Sequence, residues 1–401
     1  MKNKERKKLE NNIWKIYIYQ ILQGVFFSVP VIVIFWQNNG LSLVDIMWLQ
    51  SFYALFTVVM EIPSGYFADR YGRKKSLIIA GVSIFLGMIS YSLAHNFLGF
   101  FLGEFFFALF VSFTSGAITA LLFDTLKGLE REEEYQKIWG KALFYGMISL
   151  ATSGIVGGFI AKVDLRYTLF ASVPFFFLLI PLTFSLKEPL REEIIIKKNY
   201  LKELFNTVKK YLTTKNKQNR KLKWIIFYSV IIHAFNQSVL WLYQSYFKLS
   251  GVDVIYFGAV FASFQVISAF SSKYAHKLEK RLGEKYSFIM LIFLVAVSFL
   301  LMSNFIFLFS FSFAFIQQFV RGYKNIIVSD YINRIIGSEL RATILSVESF
   351  FGKLLYASII PIIGWVADVY SLTQALAIMG GTALILGIMF MVSFRVSRIF
   401  K

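Results

Sequence analysis

Five charged side chains lie within long apolar stretches of the sequence, where an isolated charge is costly. They are Glu61, Glu104, Arg321, Glu348 and Lys353. Ionisable groups at membrane depth typically line a cavity, pair with each other, or carry protons and substrates. The sequence has neither a phosphate-binding glycine loop nor a nucleophile triad. We therefore predict that these residues move charge along a gradient and that the protein is not an enzyme.

Two of these residues are spaced to form an ion pair. Arg321 lies nine residues before Asp330, and Glu348 lies seven residues after Arg341. At about 1.5 Å per residue both lie roughly 10–13 Å from the same membrane face. A pair would offset their burial, in a functional or a purely structural role. Lys353 lies deeper and needs either a partner or a wet cavity.

The two remaining acids are candidates for proton transfer. Glu104 is flanked by Phe105, Phe106 and Phe107, and an acid among aromatic rings suits reversible protonation; helix packing is the alternative. Glu61 lies about 10 Å inside the end of its helix. It is either a functional acid or part of the loop that follows.

Composition identifies the elements that must hold these charges. Of 401 residues, 57% are hydrophobic and 16% charged, with 46 Phe and 21 Tyr, and apolar runs of about 18–25 residues recur along the chain. This predicts an all-α membrane protein. The net charge of +19 comes mostly from alternate loops, so it indicates membrane orientation and no nucleic-acid partner. With no cysteine and three His, we predict no metal and no cofactor.

The apolar runs predict twelve transmembrane helices, with both termini cytoplasmic because Lys and Arg concentrate in the loops on the N-terminal side. We place the protein in the cell inner membrane, with the lipid bilayer as a partner. The helices are predicted near 14–36, 43–68, 76–95, 97–125, 138–161, 167–186, 223–247, 254–275, 286–303, 305–332, 340–366 and 372–394.

A hydrophilic segment in the middle divides the chain into two six-helix, pseudo-symmetric halves. We predict a cytoplasmic N-terminus at 1–13, a first half at 14–186, a central linker at 187–222, a second half at 223–394 and a cytoplasmic C-terminus at 395–401. Within the linker, the apolar spacing of 201–212 fits either an amphipathic helix on the membrane or a charged linker.

The two halves share several residues at one constant offset. Gly116 and Asp124 recur 206 positions later as Gly322 and Asp330, and glycines 146 and 158 recur as 352 and 364. One offset across two neighbouring spans indicates an internal duplication. Parallel repeats of this kind imply a central cavity with alternating access.

The loop between the second and third predicted spans carries the most specific motif. It reads Gly-x-x-x-Asp-Arg-x-Gly-Arg-Lys-Lys and resembles the signature loop of the major facilitator superfamily at Gly65, Asp69, Arg70, Gly72, Arg73 and Lys74. The resemblance implies a network that locks the two halves in the outward-facing state. It also implies that Asp124 pairs with Arg73. From the residue types alone, the glycines allow close helix approach and a tight turn, and Asp69 can lie near a helix N-terminus. The corresponding loop of the second half has His276 in place of the acid, so we expect an asymmetric latch.

The same resemblance identifies further candidates in the spans that line the family's cavity. Gln20 and Gln23 of span one, with His233, Asn236 and Gln237 of span seven, are either substrate contacts or helix–helix hydrogen bonds.

The function implied by resemblance is proton-coupled efflux. Glu61 and Pro63 extend the loop to a pattern similar to clostridial-type tetracycline efflux pumps, whereas Gly157-Gly158 match only part of the span-five element of drug antiporters. Glu104 stands where many such antiporters carry an Arg. We expect a monomer that exports hydrophobic drugs in exchange for protons. The alternative is a proton-coupled importer of a small polar or anionic metabolite, which Arg321 and Lys353 favour.

Overall fold

The computed structural model describes residues 3–189, 217–336 and 338–397, and all regular secondary structure in these ranges is helical. The longer elements are thirteen α-helices. They are α1 Asn3–Gly24, α2 Ile32–Asn38, α3 Leu43–Tyr71, α4 Arg73–Leu93, α5 Phe97–Gly128, α6 Tyr135–Val163, α7 Leu165–Ser185, α8 Lys217–Ser238, α9 Tyr243–Leu249, α10 Phe257–Asn304, α11 Ala314–Ile335, α12 Ser338–Val369 and α13 Leu372–Ser397.

The helix count differs from the predicted twelve because three predicted boundaries fall elsewhere. The first predicted span is split into α1 and α2 by the turn at 25–31. The seventh is split into α8 and α9 by a 3₁₀ turn at Val239–Trp241. The eighth and ninth are joined in α10, where only Gly283 leaves helical geometry, with φ 75° and ψ 168°. Glycine adopts this positive φ without steric cost, so the chain can change direction there.

Within the described ranges, nine helical segments are long and apolar enough to cross a membrane. The helix α11 is not among them, because Arg321, Lys324 and Asp330 interrupt its apolar sequence. The protein is therefore a multi-pass membrane protein that carries several of its charges inside helices.

Contacts between Cα atoms divide the chain into two compact units. Unit 1 comprises the described residues of Met1–Leu41, Trp48–Ile195 and Asp253–Ala262, and unit 2 those of Ser42–Met47, Ile196–Val252 and Ser263–Lys401. The predicted halves remain a prediction. Most of the predicted linker, including the apolar pattern at 201–212, lies outside the described residues.

In each unit, glycine allows two helices to approach closely. In unit 1, α1 packs on α6, and a Cβ on Gly146 would lie 3.2 Å from the Gln20 carbonyl oxygen. In unit 2, α8 packs on α12, and a Cβ on Gly352 would lie 3.0 Å from the His233 ring. These glycines are 206 positions apart, so the repeat seen in the sequence occupies similar packing positions.

Candidate functional site

The signature loop is a tight turn between α3 and α4 in unit 1. α3 ends at Tyr71 and α4 begins at Arg73, so Gly72 alone makes the turn, at φ 115°. This backbone conformation favours glycine. The turn places Arg73 Nη1 3.2 Å from Asp124 Oδ2 near the end of α5, with both side chains mostly buried. The structure thus shows the contact between Arg73 and Asp124 that the resemblance to the family implies. The gating role of these two residues remains a prediction.

A third group holds this turn, and the sequence did not predict it. The Glu188 carboxylate accepts hydrogen bonds from the backbone N–H groups of Arg73, at 2.9 Å, and Lys74, at 2.7 Å. The first N–H groups of a helix have no partner within the helix, and its N-terminus favours negative charge. Glu188 therefore caps α4 from a position 115 residues along the chain.

The residue before Glu188 is fixed as well. The backbone N–H of Lys187 donates to Asn12 Oδ1 at 2.9 Å, and its carbonyl accepts from Asn12 Nδ2 at 2.8 Å. The Lys187 ammonium lies 2.8 Å from Glu5, and its hydrogen bond lowers the pKa of the exposed Glu5 carboxyl. The start of the predicted linker is thus attached to both α1 and α4.

Three other motif residues lie on the exposed side of the loop. Asp69 is exposed in the last turn of α3, and the carboxylate that caps a helix here belongs to Glu188. Arg70 donates to the Tyr66 hydroxyl at 2.7 Å. A Cβ on Gly65 would meet no atom within 4 Å among the described residues, so the close helix approach expected at this glycine is absent there.

Glu61 is an exposed residue of α3, ten positions before the end of that helix. Its carbonyl oxygen accepts a hydrogen bond from Ser64. Unit 1 therefore leaves the Glu61 side chain exposed, whereas it buries that of Glu104.

Glu104 lies in a buried polar site between α3, α4 and α5. Its side chain is almost fully enclosed. The buried amide of Gln50 donates to Oε1, and the Tyr91 side chain is its other hydrogen-bonding partner. Both partners are neutral, and among the described residues no cation forms an ion pair with this acid.

Close packing of α4 on α5 positions Tyr91. A Cβ on Gly103 would collide with the Tyr91 ring, and one on Gly87 would lie 3.3 Å from the Gly103 carbonyl oxygen. The Tyr91 ring also packs edge-on against Trp36 and Phe107. Small residues and aromatic rings therefore hold the tyrosine beside Glu104.

The two glutamines of α1 bond to each other. Gln23 Nε2 donates to Gln20 Oε1, and Gln20 is buried. This hydrogen bond lies within α1, so both alternatives for the pair, substrate contact and a bond between helices, remain predictions.

In unit 2, Glu348 pairs with a residue that the sequence analysis did not single out. Lys324 Nζ lies 3.1 Å from Glu348 Oε1, with side-chain exposures of 9% and 14%. The Ser229 hydroxyl donates to the same oxygen. The predicted Arg321–Glu348 pair is therefore wrong: the cation that reaches Glu348 is one helical turn further along α11. The signal for it was Lys324 itself, a second cation within an apolar helix.

Arg321 lies on the same helix as Lys324 but near different groups. No carboxylate of the described residues lies within 4.0 Å of its guanidinium, and the Tyr243 side chain is a neighbour. His233 packs against Gly352 and lies within the electrostatic influence of Arg321 and Lys353. Unit 2 thus gathers cationic and titratable groups from α8, α11 and α12.

Asn236 forms a hydrogen bond between helices. Its Nδ2 donates to the Gln317 carbonyl at 2.8 Å and to Gln317 Oε1 at 3.1 Å, and both residues are buried. Gln237 is half-buried on the same helix. The contacts of Asn236 fit the structural alternative left open by the sequence.

The residues of unit 2 that correspond to the latch residues of unit 1 are arranged differently. Asp330, the counterpart of Asp124, lies 2.5 Å from Arg334 of its own helix, and His276 is exposed. Among the described residues, the arginine–aspartate pair of unit 1 therefore joins two helices, whereas the pair of unit 2 lies within one helix.

A multi-pass helical protein with charged groups inside its spans and a glycine-arginine turn between two of them has the features of a membrane transporter. The chain belongs to the Major Facilitator Superfamily, whose family model matches residues 16–357. It is a transporter and not an enzyme.

Relatives and solved structures agree with this assignment. An uncharacterised MFS-type transporter of Methanocaldococcus jannaschii is 25% identical over 305 residues, covering 74% of this chain and 75% of that protein. An uncharacterised transporter of Buchnera aphidicola is 23% identical over 308 residues, covering 74% of each.

Among solved structures, a variant of the nucleoside transporter NupG has a TM-score of 0.78 at 16% identity, covering 97% of this chain and 100% of that one. A bacterial homologue of the human lysosomal transporter Spinster, inward-facing and unoccupied, has a TM-score of 0.73 at 14% identity, covering 100% and 98%. At these identities the likeness establishes the fold alone.

Proposed function

We propose that the protein is a proton-coupled secondary transporter that exports hydrophobic small molecules by alternating access. In this proposal, twelve spans form two six-span halves in the cell membrane, with both termini cytoplasmic and the chain working as a monomer. α1 with α2 and α8 with α9 each count as one span, and α10 counts as two. Family membership supplies the transport activity, and the environment of Glu104 is the observation that carries the coupling to protons.

Glu104 suits a proton carrier because its immediate hydrogen-bonding partners are neutral. Gln50 and Tyr91 contact the acid and can hydrogen-bond to it in either protonation state, because an amide and a hydroxyl can each donate or accept. Uptake of a proton then changes the charge of the site without breaking an ion pair. Such a group is a functional candidate at membrane depth.

Export of hydrophobic molecules is supported by the sequence more than by the contacts. The Glu61–Pro63 extension is similar to tetracycline efflux pumps, and many of the spans are rich in phenylalanine. Apolar cavities with few fixed polar groups accept varied ligands.

A second function is favoured by the charges of unit 2. Arg321 and Lys324 of α11 and Lys353 of α12 are cations within apolar helices, and Glu348 is the acid that pairs with Lys324. An excess of cations inside spans attracts carboxylate or phosphate groups. An importer of a small anionic metabolite is therefore the alternative.

Proteoliposomes with an internal pH-reporting dye distinguish these functions. We expect lipophilic drugs, tetracyclines among them, to drive proton movement in the wild type. The Glu104→Gln variant should transport without pH dependence, whereas the exposed acid Glu133, changed to Gln, serves as the control. Unchanged pH dependence in Glu104→Gln would exclude this acid from the proton path. A response only to organic anions would establish the alternative.

A further inference from the structure

We propose that unit 2 carries a phospholipid site on the outside of α8, α12 and α13. One acyl chain lies in an apolar groove between these helices, and Lys223 binds the phosphate of an anionic headgroup. This site is independent of the direction and substrate of transport.

The groove consists of two adjoining cavities, of about 360 and 430 Å³, that share Phe227 and Leu355. Both volumes lie in the range of ligand pockets. On α8, the groove follows one face through Lys223, Phe227, Ile231 and Phe235 to Ser238. At 1.5 Å per residue this face is about 22 Å long, which exceeds the roughly 15 Å of hydrocarbon in one leaflet.

The walls of the groove suit a hydrocarbon chain. Phe227 is 59% exposed and Ile362 60% exposed within the described residues. The hydroxyls of Ser358 and Thr382 line the groove but donate to carbonyls one turn back in their own helices. These two hydroxyls therefore present no donor to a polar ligand.

The surrounding bilayer determines which molecules contact the groove. α8, α12 and α13 each contain a candidate span, so this surface is made by segments that cross the bilayer. Lipid tails are the apolar molecules present there at the highest concentration. A concave, apolar surface long enough to cross one leaflet therefore selects one extended tail.

One end of the groove is cationic. Lys223, in the second turn of α8, lines the 430 Å³ cavity together with Phe351 and Ser358. Lys221, two residues before it, is tied to Glu284 at 2.6 Å. A lysine at the end of an apolar channel matches a phosphate at the end of an acyl chain.

Lipid retention by the full-length protein tests the proposal. The purified protein is exposed to phosphatidylglycerol or to phosphatidylcholine with the same acyl chains, and bound lipid is counted by native mass spectrometry. We expect one retained phosphatidylglycerol. Lys223→Gln should weaken its retention about fivefold, the effect of one lysine near a lipid phosphate. The exposed Lys248, changed to Gln, is the matched control and should retain the lipid as the wild type does.

A second variant tests the groove without changing charge. Ser358→Phe fills the channel and should reduce retention of both lipids, whereas Thr152→Phe does not, because Thr152 is an exposed residue of α6 with the same hydroxyl-to-carbonyl bond. Equal retention of the two lipids by the wild type would overturn the headgroup assignment. Unchanged retention in Ser358→Phe would overturn the groove, as would displacement of the lipid by a transported molecule alone.

Discussion

Lys324 of α11 and Glu348 of α12 form a salt bridge inside unit 2, with Nζ 3.1 Å from Oε1 and both side chains largely buried. Most of the other residues in each of these two helices are apolar. The pair therefore joins two helices through charges that neither helix could hold alone at low cost.

Removing one partner of this pair should destabilise the protein more than removing both. Lys324→Met leaves a buried carboxylate without its cation, a change that costs about 3–5 kcal/mol. We expect a marked fall in the thermal midpoint of the purified protein, with most of it recovered in the Lys324→Met/Glu348→Gln double variant.

The exposed pair of Asp330 and Arg334 provides the control for that experiment. Arg334→Met should change the free energy of unfolding by about 0–1 kcal/mol, as surface pairs do. A double variant no more stable than Lys324→Met would contradict the assigned pair.

Asp124→Asn should abolish transport while the protein still inserts into the membrane, because it removes the carboxylate that holds Arg73. Asp69→Asn should have the same effect if the motif acts as a latch. Asp330→Asn is the matched control at the repeat position, since Asp330 pairs within its own helix. Uptake in vesicles with protein amount measured by immunoblot checks this, and wild-type activity of Asp124→Asn would reject the gating role.

Glu188→Ala should loosen the start of α4, since two backbone N–H groups lose their acceptor. Loss of a capping side chain costs about 1 kcal/mol. Hydrogen exchange at the backbone amides of Arg73 and Lys74 should accelerate, whereas Glu133→Ala, which removes an exposed acid, should leave it unchanged. Equal exchange in both variants would show that Glu188 does not cap the helix.

Gly157→Ala should disrupt the packing of α6, because the added Cβ would collide with the Phe27 carbonyl oxygen. We expect a loss of about 3 kcal/mol, the upper end of the usual cost of overpacking, because the clash is with backbone. Gly381→Ala in α13 meets nothing within 4 Å of the described residues and should stabilise the helix by about 0.5–1 kcal/mol. Comparable unfolding temperatures for the two variants would contradict the close approach at Gly157.

The sequence predicted features that depend on local pattern or on a shared motif. The apolar runs located the helices, and the turn at Gly72 with its Arg73–Asp124 contact follows from the signature loop. Burial of Glu104 also agrees with its phenylalanine neighbours. Breaks within spans were missed, because hydropathy is insensitive to a short turn at membrane depth.

Partners from distant segments could not be predicted in the same way. Depth along the helix made Arg321 and Lys324 nearly equivalent candidates for Glu348, and only side-chain placement separates them. Gln50 is an ordinary polar residue in an apolar run until α3 and α5 are packed together. Glu188 contacts α4 from a distant part of the chain, so no local sequence pattern predicts this contact.

The attachment of residues 187 and 188 to Asn12 and α4 has a consequence for dividing the chain. If the chain is expressed as two fragments divided after residue 189, the first fragment keeps Glu188, the acceptor for the α4 amides. Fragments that separate before residue 187 would transfer that acceptor to the second piece, which must then supply it in trans. Reassembly into an active transporter should therefore be efficient for the later break and poor for the earlier one.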